Sequence, residues 1–447
     1  MSDTPERSHE RPPGPPQYPI LGSLLSHNRN PFDFVTENAR TYGDVVYWEL
    51  ADKPIYQVNH PDDIEYVLVE NNQNYVKGEL FQDALRPVLG EGLLNSEGQR
   101  WRRQRHLIQP SFHPNEIQEY AEIMVSATES LLGSWTDRAV IDIHEEMMGL
   151  TLRIVAESLL GVELEREIET IGENLEIVLG HVDRISHRLV PPWVPTPSNK
   201  RYQEAIRNLE TVVSRIIENR RRDPGGTDVV SILLDVEDEH GRSMSDRQLR
   251  DEIMTFLLAG HETTALALTY TFYLLAKYPQ VEKELIEEIR GTLGEARPTA
   301  TDRRRLSVTE RTITESMRLY PPVDNVVREA VEADRVGGYS VPAGSTIWLS
   351  QWVVHRDPRW YPDPLAFDPS RWTGEFRDSL PRLAYFPFGA GPRRCVGDQF
   401  ALLEATLVLT TILREYHLEL TRGTDLELMS AITARPKNPV WMEVQAR

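Results

Sequence analysis

The chain has 447 residues with 69 acidic and 49 basic side chains, a formal net charge of -20, and one cysteine. Its length allows a large apolar core. The lone cysteine excludes a disulfide scaffold, a multi-cysteine zinc site and a cysteine-held iron–sulfur cluster, and the acidic balance argues against non-specific nucleic-acid binding. Six lysines against 43 arginines admit two readings, a GC-rich coding bias or an acidic surface adapted to concentrated salt.

The amino terminus, MSDTPERSHERPPGPP, is polar and proline-rich. Residues 1–16 read as a flexible leader and 17–447 as one domain. No stretch reaches the ~18–20 apolar residues of a membrane span, and no signal peptide is legible, so a cytoplasmic location is expected. Strand-like runs at Asp44–Leu50 and Pro54–Asn59 come first. Helical patterns follow at Asn115–Trp135, Glu145–Leu160, Arg166–Leu179 and Ser198–Arg222, interrupted by a proline-rich loop over Pro191–Pro197. Asp223-Pro224-Gly225-Gly226 breaks the series. Strands return at Val326–Val341 and Thr346–Val353. The expected fold is mainly α with small β-sheets, without the strand–helix alternation of a doubly wound fold.

Between these regions Ser245-Asp246-Arg247-Gln248 signals a helix start and Tyr278-Pro279 a stop. The segment between them is apolar on nearly every side and about 30 residues long, roughly 45–50 Å, hence a long central helix. Its middle carries a polar island, Ala259-Gly260-His261-Glu262-Thr263-Thr264. One explanation is threonine back-bonding and a local kink. The other is a groove opened for a ligand, with an acid and an alcohol to deliver protons.

The lone Cys395 sits in Phe386-Pro387-Phe388-Gly389-Ala390-Gly391-Pro392-Arg393-Arg394-Cys395-Val396-Gly397, a glycine-rich loop before a helix expected over Asp398–Tyr416. Arginines and amides there favour a thiolate. It can be a small buried hydrophobe, a nucleophile or a metal ligand. A haem fits the arithmetic, because the porphyrin supplies four nitrogens and the protein need offer only one sulfur.

Phe388, Gly391, Arg393, Cys395 and Gly397 match the F-x-x-G-x-R-x-C-x-G signature, and the chain resembles the cytochrome P450 family. The island resembles that family's oxygen-activation motif. Glu315, Arg318 and Arg371 resemble its structural Glu-Arg-Arg triad, and Trp101 with Arg105 its W-x-x-x-R propionate motif. The resemblance implies a haem b (iron-protoporphyrin IX) monooxygenase with Cys395 as iron ligand. Phe388 would shield the sulfur, and Gly397 would leave room for amide donors to it. Trp101, Arg105, Arg328 and Arg393 would grip the propionates, with Lys77 a weaker candidate, and Ala259 would lie beside the haem. Glu262 and Thr263 would move protons for O2 activation, and the triad would clamp the proximal side.

The implied substrate is small and apolar or amphipathic: fatty-acid-like, terpenoid or steroid. Leu94 and Ala267 are its candidate pocket residues, and Lys53 and Tyr56 candidate anchors for a carboxylate. Electrons would come from a separate ferredoxin and ferredoxin reductase, or a flavoprotein. Arg102, Arg103 and Arg394 are candidates for the docking patch. A peroxide-driven peroxygenase and a non-catalytic haem sensor are the alternatives.

Overall fold

The computed structural model describes residues 11–51, 53–162, 165–182, 194–223, 225–226, 228–238 and 241–447. In chain order, the helices that matter for function are α1 (Pro31–Tyr42), α2 (Gly98–Ile108), α3 (Ala121–Leu132), α4 (Ile143–Leu160), α5 (Glu165–Val182), α6 (Pro197–Arg222), α7 (Asp246–Lys277), α8 (Ser307–Leu319) and α9 (Asp398–Glu415). The described strands are β1 (Val45–Leu50), β2 (Lys53–Val58), β3 (Tyr75–Val76), β4 (Val140–Asp142), β5 (Val326–Ala330), β6 (Asp334–Val336), β7 (Tyr339–Val341), β8 (Thr346–Leu349), β9 (Tyr416–Leu420), β10 (Leu428–Ser430), β11 (Ala434–Pro436) and β12 (Trp441–Ala446). The fold is mainly helical with small sheets, as the sequence pattern predicts.

The chain divides into two compact units. One comprises residues up to Glu79, Thr314–Cys395 and Glu427–Lys437. It is built on a five-stranded sheet of order β1-β2-β8-β5-β3, in which only β2 and β8 run parallel. β-Branched and aromatic residues dominate β1 and β2, and alternation divides them between two apolar layers: Val45, Tyr47, Tyr56 and Val58 on one face, Val46, Trp48 and Ile55 on the other. The proline-rich entry is seated here, with the Tyr47 amide donating to Pro13 O at 2.9 Å. At Gly14 a side chain would meet Tyr47 O at 1.7 Å, so only glycine permits that approach.

The other unit, Leu80–Ile313, Val396–Leu426 and Asn438–Arg447, holds the central helix. Ser245 caps α7 by accepting from the Gln248 amide, and the helix runs unbroken to Lys277. α4 packs along it. Gly260 makes that approach possible, since a Cβ there would already lie 3.2 Å from Val155 Cγ2. α9 also packs against α7, and a three-stranded sheet of order β4-β12-β9 completes the unit.

Three local expectations change. The helix expected over 115–135 is two helices, Pro114–Glu119 and α3, divided at Tyr120, which is buried with its ring 6.0 Å from Phe400. The strand expected over Val326–Val341 is three short strands. Gly337 (φ 55°) and Gly338 (φ 83°) turn β6 back on β7, a left-handed pair that a two-residue hairpin requires. β8 stops at Leu349 rather than Val353, because Ser350 caps a helical turn over Gln351–Val354. Of the loop read at Pro191–Pro197, residues 191–193 lie outside the described residues.

Candidate active site

In the sheet-based unit the cysteine loop is shaped by its backbone. Gly389 and Gly391 both adopt left-handed φ, 68° and 66°. A Cβ at Gly391 would fall 1.9 Å from Leu68 O, so the loop can pack there only with glycine. The Cys395 amide donates to Phe388 O at 2.9 Å, which closes the loop, and the Cys395 side chain is exposed. Phe388 and Arg393 are half-buried and Arg394 is exposed. Arg328, on β5, is buried and donates to Val327 O at 2.8 Å.

Glu315, Arg318 and Arg371 converge. Arg318 sits one turn after Glu315 on α8 and donates through Nε to Oε2 (2.8 Å) and through Nη2 to Oε1 (2.7 Å), a bidentate pair with no exposed surface. Arg371 Nε donates to Glu315 Oε1 at 2.9 Å. Two partners not read from the sequence complete the site: Trp372 Nε1 donates to Oε2 (2.7 Å) and the Asp368 amide to Oε1 (3.1 Å). Arg318 also donates to His355 O (2.8 Å) and Pro364 O (2.7 Å).

His355 carries this network to the cysteine loop. Its Nε2 accepts from the Phe386 amide at 3.0 Å, while Gln351 Nε2 donates to Phe386 O at 2.5 Å. Burial first, and then the Arg318 and Arg356 charges, hold the His355 imidazole neutral, the state in which Nε2 accepts. The sequence flags no role for His355, because its partner is 31 residues away and is a backbone amide.

In the helical unit the polar island remains α-helical. Thr263 Oγ1 donates to Ala259 O (2.9 Å) and Thr264 Oγ1 to Gly260 O (3.4 Å), the back-bonding alternative. Between Asp251 and Leu275 α7 is otherwise buried, yet Ala259 is exposed and Gly260 and Thr263 are half-buried, which gives the helix one open face at its middle. Glu262 and His261 are buried, and His261 O accepts from Thr151 on α4 at 2.9 Å. Trp101 and Arg105 are half-buried at i and i+4 on α2, hence on one face. Leu94 is half-buried and Ala267 is buried. Gly397 is the amino-terminal cap residue of α9, where a Cβ would make ordinary contact (3.6 Å) with the Phe112 ring.

Three subsidiary candidates change on burial. Tyr56 lies in the sheet core and Lys53 is exposed, so the two do not form a paired anchor. Arg103 is committed to Asp238 Oδ2 (2.7 Å) and to the Arg242 carbonyl (2.8 Å), whereas Arg102 and Arg394, each in its own unit, are exposed.

A single thiol on a loop fixed by two left-handed glycines suits a group that brings its other ligands with it, and haem is such a group. Among the described residues no cluster of three or more His, Cys, Asp or Glu is arranged to hold a metal ion. No described helix is long and apolar enough to cross a membrane.

These features define a haem-thiolate class of protein, and comparison with known proteins places the chain within it. The cytochrome P450 family model matches residues 12–441. The cyclooctat-9-en-7-ol 5-monooxygenase of Streptomyces melanosporofaciens is 37% identical over 435 residues, 95% of this chain and 93% of its own. Cyclooctatin synthase of the same organism is 36% identical, covering 91% and 90%. Pentalenene oxygenase of Streptomyces avermitilis is 33% identical, covering 97% of each. Among solved structures, the cytochrome P450DA heme domain superposes with a TM-score of 0.88 at 26% identity, covering 99% of both chains. The chain belongs to the cytochrome P450 family and is a monooxygenase, an oxidoreductase whose family cofactor is a haem with a thiolate ligand.

Proposed function

We propose that this monooxygenase binds haem b through Cys395 and hydroxylates a cyclic terpenoid with O2 in the cytoplasm. Electrons would come from a separate ferredoxin and its reductase, or from a flavoprotein. The observation that carries the reading is the thiol of Cys395, the chain's only cysteine, exposed on the Gly389–Gly391 loop. The terpenoid assignment is supported by relatives named for cyclooctat-9-en-7-ol and pentalenene.

Bound haem supplies the iron at which O2, two electrons and two protons yield one inserted oxygen atom and one water. The protein's part is to hold the cofactor, exclude water and move protons. Arg393, Arg328, Arg105 and Trp101 would bind the propionates, with arginine offering permanent charge and paired donors. Phe388 would shield the sulfur, and the amides after Cys395 would temper its charge.

Thr263 spends its hydroxyl proton on Ala259 O. Toward the open face of α7 it therefore presents lone pairs, and it accepts a hydrogen bond from an arriving proton donor. It passes a proton on only when its bond to Ala259 breaks. Glu262 projects about 100° away around the helix and is buried. It is the proton source on the interior side, working through water rather than by direct contact with substrate.

The test is turnover of pentalenene and cyclooctat-9-en-7-ol with NADPH, ferredoxin and reductase, against peroxide alone and against neither. Product is expected only with the electron system. Thr263→Ala should keep the haem spectrum while product per NADPH falls and peroxide rises, since a positioned proton-transfer group contributes about 10²–10⁴-fold. Equal product with peroxide alone, or unchanged coupling in Thr263→Ala, would contradict the mechanism.

A further inference from the structure

Residues 90–96 form a strap pressed onto the amino-terminal half of α7. The Glu91 amide donates to Asp251 Oδ2 at 2.9 Å, and the Leu93 amide donates to Glu252 Oε2 at 2.8 Å. These are two consecutive carboxyls of α7, and they take alternate amides of the strap. Asn95 Nδ2 returns to Gly90 O (2.9 Å) and Gln104 Nε2 on α2 donates to Glu91 O (2.7 Å), so the strap is held from within and from behind. The seating is tight. At Gly90, which is left-handed (φ 50°), a Cβ would lie 2.3 Å from Asp251 Oδ2. At Gly92 it would lie 2.2 Å from Thr255 Oγ1 and 2.6 Å from Asp251 O.

Thr255 is one helical turn before Ala259, where the open face of α7 begins. The strap therefore delivers Leu93 and Leu94 beside that face. Asp251 is anchored in turn by Arg250 (Nη1 to Oδ1, 2.6 Å), which also pairs with Glu210 on α6. Both carboxyls are buried at 2% exposure or less. Burying two acids side by side is costly, and a strap needing only backbone support would not require them.

We propose that Asp251 and Glu252 are positioning residues that clamp the Gly90–Ser96 strap onto α7 and so fix the apolar wall, Leu93 and Leu94, of the substrate site. This rests on the haem-thiolate reading of the open face. The clamp is sensitive to pH. Glu252 titrates at about 8, raised first by burial and also by Asp251, against the Leu93 amide and the Gln104 side chain, which oppose the shift. Lifting the strap exposes Glu252 to water and returns it to the ordinary carboxyl range. The closed strap thus binds the extra proton. Closure is favoured at low pH and weakens as pH rises toward about 8, with no further change above it.

The experiment uses the full-length holoprotein and two neutral probes of the Soret band, pyridine and 4-decylpyridine. Pyridine reports the iron alone, and the decyl chain also reports the apolar wall. Glu252→Ala should weaken 4-decylpyridine about tenfold, the equivalent of one lost hydrogen bond of about 1.4 kcal/mol, while pyridine changes less than about twofold. Glu252→Gln, which keeps an acceptor for the Leu93 amide, should restore the affinity and flatten its pH dependence between about pH 7 and about pH 8.5. Gly92→Ala leaves both carboxyls intact and lifts the strap, so it should reproduce the selective loss even if Glu252→Ala does not fold. A normal pyridine shift with 4-decylpyridine unaffected in Gly92→Ala and Glu252→Ala overturns the clamp alone. So does a Glu252→Gln pH profile parallel to that of the wild type. A wild-type protein giving no Soret shift with pyridine overturns the haem reading itself.

Discussion

Two buried glutamates, one in each unit, are treated in opposite ways. Glu315, in the sheet-based unit, has no exposed surface and receives hydrogen bonds from Arg318, Arg371, Trp372 and the Asp368 amide. Glu404, on α9 in the helical unit, is equally buried, and neither carboxyl oxygen has a hydrogen-bond partner among the described residues. Thr264 on α7 works weakly against the upward shift of this carboxyl, but its hydroxyl is directed to Gly260 O. Burial pushes the Glu404 carboxyl well above the ordinary carboxylate range, so it is held protonated. The first carboxyl is enclosed by two guanidinium groups that donate to both of its oxygens. The second is tolerated because it is neutral. Burial alone says little about a carboxyl's role, and its donors decide it.

The sharpest way to break the comparison is to remove the charge that has partners. Glu315→Ala leaves two arginines in a dry site without their anion, and breaking such a pair costs about 3–5 kcal/mol. The network runs through His355 to the Phe386 amide, so the cysteine loop should lose its support as well. Purified Glu315→Ala is expected without haem or with a small haem fraction. A normal haem-to-protein ratio and an unchanged melting temperature would show that the triad does not brace this loop.

Glu404→Gln has the smaller effect and opposite sign. The folded state holds the Glu404 proton more tightly than the unfolded chain does. The wild type therefore loses stability as pH rises from the unfolded value of about 4.5 toward the raised folded value, and Gln has no such loss. The variant should be more stable by about 1–2 kcal/mol near neutral pH, with the gap closing toward acid pH. Thermal unfolding across that window measures it. A gap that does not vary with pH would mean that Glu404 is ionised and paired after all.

The comparison also explains how much could be read from the sequence. The cysteine loop was legible because its glycines and lone cysteine constrain backbone and chemistry locally. α7 was legible because its cap, its apolar length and its stop lie within one segment. Glu315 and Arg318 share a helical face at i, i+3, but their remaining partners lie about fifty residues further on, and Trp372 and His355 give no local sign of joining them. Glu404 reads as one polar residue in an amphipathic helix, Phe400-Ala401-Leu402-Leu403-Glu404-Ala405. Asp251 and Glu252 read as charge near a helix start. Their burial is created by α7 packing against the 90–96 strap and α9, which no periodicity within a single element reveals. At Gly337-Gly338 the glycine pair signals a hairpin, but the strand-favouring residues on either side mask it as one continuous strand.

The most direct test of the central claim is the difference spectrum of the reduced, CO-bound protein, recorded for the wild type and for Cys395→Ser. The wild type should show the red-shifted Soret band of a thiolate-ligated haem. Cys395→Ser should lack it, since the chain has no other cysteine to take its place. A folded, haem-loaded wild type without that band, or a Cys395→Ser variant that retains it, would contradict the account.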